Sequence, residues 1–273
     1  MTGALPLAGF TVGVTAARRA EKLGALLERR GARVQYGPAL RIVPLEDDER
    51  LLDAIRSVIA TPPDVVVATT GMGFRGWLDA AESRGLTEPL LAALRPATIL
   101  TRGPKAAGAV RAAGLREEWS PPSESSPELL TYLLERGVTG RRVAIQLHGD
   151  PQDDFRSALT EAGAEVQTVP VYRWTLPLDP APLDALITAT ITATLDAITF
   201  TSAPAAMGLL SRATALGQSE PLIEALREKV PPICVGPVTA APLQARAIPT
   251  TWPTRHRTAA LVHLLTETLP TRP

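Results

Sequence analysis

The chain repeats itself, and that limits its folds more than any other feature of the sequence. A shift of 132 positions carries Gly31, Ala32, Val34, Gln35 and Pro38 onto Gly163, Ala164, Val166, Gln167 and Pro170. The same shift carries DVVVAT (Asp64–Thr69) onto DAITFT (Asp196–Thr201), and ELLTYLLE finds its echo in the closing ALVHLLTE. The repeat beginning at Gly9 and the one spanning Gly140–Trp174 each read as strand, helix, strand, so the second restarts the first halfway along. A duplicated chain of 273 residues is long enough for two cores.

The order of elements follows from periodicity. Phe10–Val14 and Asp64–Thr69 are short apolar, β-branched runs of the kind buried on both faces of a parallel sheet. Helices are expected at Arg19–Arg30, Asp48–Ala60, Phe74–Arg84, Pro104–Ala113 and Ser126–Arg136, the last capped by Ser126. Ala97–Thr101 is a strand between two of them. In the second half, helices are expected at Pro182–Thr194, Ala203–Ala215, Pro221–Val230, Val238–Ala245 and Thr258–Thr268, with strands at Asp196–Thr201 and Ile233–Gly236. This alternation implies parallel α/β layers. Val34–Val43 and Val169–Pro182 are extended and marked by prolines, which places them at an edge or in a connection.

Composition excludes several functions. The 28 basic and 28 acidic residues cancel, which argues against a chain-wide nucleic-acid or anionic-membrane footprint. Arginine supplies nearly all the positive charge, the only lysines being Lys22, Lys105 and Lys229. Cys234 is the single cysteine, so an intrachain disulfide and a cysteine zinc cluster are both ruled out. No secretory signal or long apolar span is legible, and a cytoplasmic location is expected.

Some motifs carry chemistry on their own terms. Gly236–Thr239 turns from a strand into a helix, where backbone N–H groups and the Thr239 hydroxyl are placed to hold a carboxylate. Gly103 is its first-half partner. Thr69–Gly71 and Thr201–Ala203, including Thr70 and Ser202, stand at equivalent strand ends, where parallel sheets bind ligands. Gly71, Gly73 and Gly76 formally match the dinucleotide GxGxxG pattern, but no acidic residue follows the next strand, and the second repeat has Ala203, Ala205 and Gly208 instead. His148 reads as a loop histidine. His256 and His263 show no carboxylate partners at ligand spacing, so no metal site is expected.

Taken in order, GARV with its proline (Gly31–Pro38), TRGPKAAGAV (Thr101–Val110), GAEVQTVPVYR (Gly163–Arg173), DAITFTSAPAA (Asp196–Ala206) and CVGPVTAAPL (Cys234–Leu243) resemble the uroporphyrinogen-III synthase family over nearly the whole chain. The resemblance implies two parallel-sheet α/β domains joined by a two-stranded β-ladder, with a cleft between them. One domain would take residues 1–38 and 173–273 and the other 39–172, with linkers at about 34–43 and 166–176. It implies cyclisation of the linear tetrapyrrole hydroxymethylbilane to uroporphyrinogen III with inversion of ring D, by positioning and with no metal or organic cofactor.

The family's tyrosine falls on Tyr172, the expected proton donor. The substrate's eight carboxylates call for cations, of which Arg18, Lys105 and Arg255 are the expected anchors, beside Thr70, Gly71, Gly103, Ser202, Gly236 and Thr239; Arg19, Arg102, Arg173 and Arg257 lie nearby in sequence. Where the family commonly has two arginines and a threonine, this chain has Ala16, Gln152 and Ala106. Those departures open a second reading, a non-catalytic tetrapyrrole- or metabolite-sensing domain of a regulatory protein. A monomer without nucleic-acid or membrane partners is expected.

Overall fold

A computed structural model describes residues 5–147, 149 and 153–270. The chain divides into two compact units, Met1–Arg41 with Thr175–Pro273, and Ile42–Trp174.

The first repeat contributes strands β1 (Thr11–Val14), β2 (Arg33–Tyr36), β3 (Arg41–Pro44), β4 (Val65–Ala68) and β5 (Thr98–Thr101). Its helices are α1 (Ala20–Glu28), α2 (Glu49–Ala60), α3 (Gly71–Glu82), α4 (Thr87–Leu94), α5 (Pro104–Ala112) and α6 (Ser126–Glu135). The second repeat gives strands β6 (Arg142–Gln146), β7 (Glu165–Val169), β8 (Tyr172–Thr175), β9 (Ala197–Phe200) and β10 (Pro232–Cys234). Its helices are α7 (Asp153–Glu161), α8 (Ala181–Ile191), α9 (Ala203–Ala215), α10 (Ser219–Glu228), α11 (Pro237–Gln244) and α12 (Thr258–Thr268). Element for element, the second series repeats the first.

The repeats do not fold separately. One parallel sheet has the order β10-β9-β1-β2 and the other β5-β4-β6-β7, while β3 and β8 form a two-stranded sheet. Each four-stranded sheet therefore combines the opening strand pair of one repeat with the later pair of the other. The crossings expected as continuous extended linkers are divided in the same way. Val34–Tyr36 belongs to edge strand β2 and Val166–Val169 to edge strand β7, and only β3 and β8 form the ladder. Pro38 and Pro170 lie where sheet pairing stops, since neither can donate a ladder hydrogen bond.

The central strands are short and buried throughout because helices cover both faces. Along β4, Val66 and Ala68 enter the core with Phe74, Trp77 and Leu90, while Val65 and Val67 enter the opposite one with Leu133 and Phe155. The unit holding β1 has a core of Val12, Val14, Leu23, Leu27, Leu261 and Leu265. The repeated glycines mark the helix-to-strand turns: Gly31 and Gly163 adopt φ of +97° and +86°, left-handed values that suit glycine.

Helix α6 begins at Ser126 as expected but is capped one residue earlier, while α3 and α10 begin at Gly71 and Ser219, ahead of the expected Phe74 and Pro221. The cap of α6 is Ser125, whose hydroxyl accepts from the Glu128 N–H, which puts Ser126 inside the helix. Helix α3 begins at Gly71, before Phe74, with Thr70 as its cap.

Candidate functional site

Helices α3 and α5 begin where β4 and β5 end, and α9 and α11 begin where β9 and β10 end. Each pair brings the positive ends of two helix dipoles to the carboxyl edge of its sheet.

In the unit Ile42–Trp174 this edge carries a tyrosine. Tyr172 opens β8 with only 7% of its surface exposed, its ring packed into the α2–α3 core. Its hydroxyl lies 3.4 Å from Thr70 Oγ1. That is long for a hydroxyl pair, so the contact orients the phenol without holding it tightly. Thr70 Oγ1 also accepts from the Gly73 N–H at 3.1 Å, closing the first turn of α3. The capping threonine thus ties the phenol to the helix N-terminus.

The neighbouring helix start is held by close packing. A Cβ at Gly71 would stand 2.1 Å from the Lys105 carbonyl oxygen, so α3 and α5 touch backbone to backbone there. Helix α5 starts at Pro104, and Gly103 at its cap position makes no side-chain cap bond. Lys105, an expected anchor, is exposed, whereas Arg102 is half-buried in the turn before Gly103. Burial pulls the Arg102 guanidinium below its ordinary pKa, and the fields of Tyr172 and Glu124 oppose that pull. Arg102, which the sequence presents only as one of several loop arginines, is thus a cation within electrostatic reach of Tyr172.

The same site removes the dinucleotide reading. Gly71, Gly73 and Gly76 lie inside α3 and form no loop ahead of it. Gly71 is small because Lys105 is close, and Gly73 because the Gln146 carboxamide nitrogen would be 2.1 Å from its Cβ.

In the unit that contains β9 and β10, Ser202 and Gly236 are the cap positions of α9 and α11, and neither helix has a side-chain cap bond. Thr239 follows in the first turn of α11, 5% exposed. The residue facing Gly236 is His256, whose Cγ would be 3.0 Å from a Cβ placed there. His256 comes from the loop before α12, folded back by an Arg257 N–H bond to the Arg255 carbonyl at 2.7 Å. Arg255 and Arg257 are exposed on either side of it. Sequence spacing offers no hint of this, because His256 and Gly236 meet only through the tertiary fold. Arg18 is exposed in the loop before α1, where Arg19 adopts φ of +56°.

The remaining histidines are placed differently. His263 Nε2 lies 3.3 Å from Glu267 Oε1 on the surface of α12, so it does have a carboxylate partner, one turn on. His148 and Gln152 fall outside the described residues. Ala16 and Ala106 are buried. A shallow cavity of about 440 Å³ lies elsewhere, lined by Val43–Asp48 and Arg173. Its three carboxylates, Glu46, Asp47 and Asp48, make it a poor seat for a polyanion.

Two parallel α/β units, each completed by strands from both repeats, with paired helix starts at the strand ends, define a class of duplicated and interleaved proteins. The model of the family described as uroporphyrinogen-III synthase HemD matches residues 21–263. This chain belongs to the uroporphyrinogen-III synthase family. It is similar to a mutant uroporphyrinogen III synthase of the extremely thermophilic bacterium Thermus thermophilus, with 28% identity, a TM-score of 0.79, and coverage of 97% of this chain and 100% of that one. It is also 27% identical to the uncharacterized protein YjjA of Bacillus subtilis over 242 residues, 89% of each chain. A putative uroporphyrinogen-III synthase of Methanothermobacter thermautotrophicus is 29% identical over 163 residues, 60% of this chain and 63% of that one.

Proposed function

We propose that this protein cyclises hydroxymethylbilane to uroporphyrinogen III, inverting ring D, as a cytoplasmic, monomeric, cofactor-independent lyase of tetrapyrrole biosynthesis. The observation that carries the reading is the Tyr172 hydroxyl, 3.4 Å from Thr70 Oγ1 at the start of α3. In this mechanism the phenol donates its proton to the substrate hydroxyl, which leaves as water. The substituted α-carbon of ring D attacks the cation formed on the terminal methylene to give a spiro intermediate. The original bond from that carbon to the methylene of ring C then breaks, and the methylene cation so freed closes on the unsubstituted α-carbon of ring D, which gives up its proton. The phenolate recovers a proton from solvent.

A phenol, with an ordinary pKa near 10, is a weak acid at neutral pH. The rate then depends on holding an already reactive substrate in the geometry that favours ring D inversion over direct closure. Carboxylate anchoring falls to the starts of α3 and α5, with Thr70, Gly71, Gly103, Arg102 and Lys105. In the other unit it falls to Ser202, Gly236, Thr239, Arg255 and Arg18. The sensing alternative draws support from Ala16 and Ala106, which put buried methyl groups where the family commonly carries polar ones.

The test is a coupled assay in which freshly made hydroxymethylbilane is incubated with and without the protein, and the oxidised products are separated by isomer. Isomer III above the spontaneous background supports the enzyme. Isomer I alone, from folded protein, leaves a binding domain. In the active case, Tyr172→Phe should lower kcat by about 100-fold, the low end of what a positioned proton donor contributes, with little change in melting temperature. Unchanged isomer III formation by that variant removes Tyr172 from the chemistry.

A further inference from the structure

Gln146 closes β6, a central strand, and is 0% exposed. Its strand neighbours Val143, Ala144 and Ile145 are apolar, and the repeat places Val14 at the equivalent position of the other unit. A carboxamide there needs partners, because a buried polar group without them is costly. Its Oε1 accepts from the Thr69 N–H at 3.1 Å and from the Thr70 N–H at 3.0 Å, with the Thr69 hydroxyl at 3.4 Å. Its Nε2 donates to the Leu147 carbonyl. The Thr69 hydroxyl donates to the Gln146 carbonyl at 2.7 Å.

These bonds act where β4 has ended and its peptides leave the ladder. Thr69 and Thr70 are the two residues between Ala68, the last in the strand, and Gly71, the first in the helix. From the other side the carboxamide is clamped by α3, since Nε2 fills the place a Gly73 side chain would take. The equivalent helix of the other unit, α9, has neither the carboxamide nor a cap bond from Ser202. The brace belongs to the unit that holds Tyr172.

We propose that Gln146 is a positioning residue for the Tyr172 site: its carboxamide fixes the Thr69 and Thr70 peptides, which set Thr70 Oγ1 and, through it, the phenol hydroxyl. The inference rests on the reading of Tyr172 as the proton donor. It predicts that losing the brace misplaces the phenol while Thr70 is the one carboxylate anchor disturbed, so kcat falls by far more than KM rises.

The experiment combines kinetics with tyrosine NMR. Gln146→Leu, which removes the acceptor, should lower kcat for isomer III by about 100-fold, the scale of a misplacement near 1 Å, with KM changed less than about threefold. Gln146→Glu, which keeps an oxygen against both N–H groups but has no proton for the Leu147 carbonyl, should recover part of that loss. The protein has three tyrosines, so selective ¹³C labelling yields few signals. In Gln146→Leu the Tyr172 resonance should move while those of Tyr36 and Tyr132 stay. A fixed Tyr172 resonance, or wild-type kcat in the folded Leu variant, overturns the proposal. If that variant does not fold, amide exchange of the wild-type protein decides. Slow exchange at Thr69 and Thr70, kept in Gln146→Glu, supports the brace, and fast exchange in the wild type overturns it. If the wild type makes no isomer III, the catalytic reading fails, while the NMR and exchange results still decide whether Gln146 holds the phenol.

Discussion

Cys234 shows how far burial alone can determine a side chain's chemistry. It ends β10 at 0% exposure, and desolvation pushes its thiol up to about 12. Thiolate is the reactive form, so at pH 8 the native protein should react with a thiol-specific disulfide reagent only after denaturant is added. Stoichiometric labelling within minutes in native buffer would contradict this placement. The apolar run PPICVG already marks Cys234 as core. Arg102 illustrates the reverse case. In the sequence it is one of many arginines, and only the fold half-buries it within electrostatic reach of Tyr172 while leaving Lys105 exposed.

Among elements, α3 provides a paired test, because its glycines lie in different surroundings. A Cβ at Gly71 would meet the Lys105 carbonyl at 2.1 Å, whereas Gly76 has nothing within 4 Å. Gly71→Ala should destabilise by about 1–3 kcal/mol, the usual cost of overpacking. Gly76→Ala should stabilise by about 0.5–1 kcal/mol, since alanine is the better helix former and narrows the unfolded ensemble. Thermal unfolding of the two variants reads both signs, and a stabilising Gly71→Ala would show that α3 and α5 do not approach as described. The least legible element is α4, Thr87–Leu94, where the sequence raises no expectation of a helix. Pro96 follows its end, and Pro89 falls within it, but in the first turn, where a missing N–H costs little.

For the whole molecule, the interleaving of repeats makes the two units unequal as fragments. Ile42–Trp174 is a continuous stretch with its four-stranded sheet and both sheet faces covered, whereas the sheet of the other unit needs β1 and β2 from the N-terminal segment beside β9 and β10. A 42–174 fragment should fold, with dispersed amide resonances and a cooperative melt. A 175–273 fragment should not, because β9 would lose its partner β1 and expose an unpaired edge and an open core. A cooperative melt of the second fragment would show that the shared sheet is not what holds that unit together.

The sequence by itself determined the duplication, the alternation of strand and helix, the family, and the strand ends where the candidate site lies. These are local or periodic properties, written in the order of residue types. Only the tertiary structure decided which repeat completes which sheet, that Gln146 braces the Thr69–Thr70 turn, that Arg102 is half-buried within electrostatic reach of Tyr172, and that His256 covers Gly236. Each of these joins residues distant along the chain through packing between elements. No spacing rule records such contacts, because the free energy that selects them comes from burial and hydrogen bonding made only once the sheets have assembled.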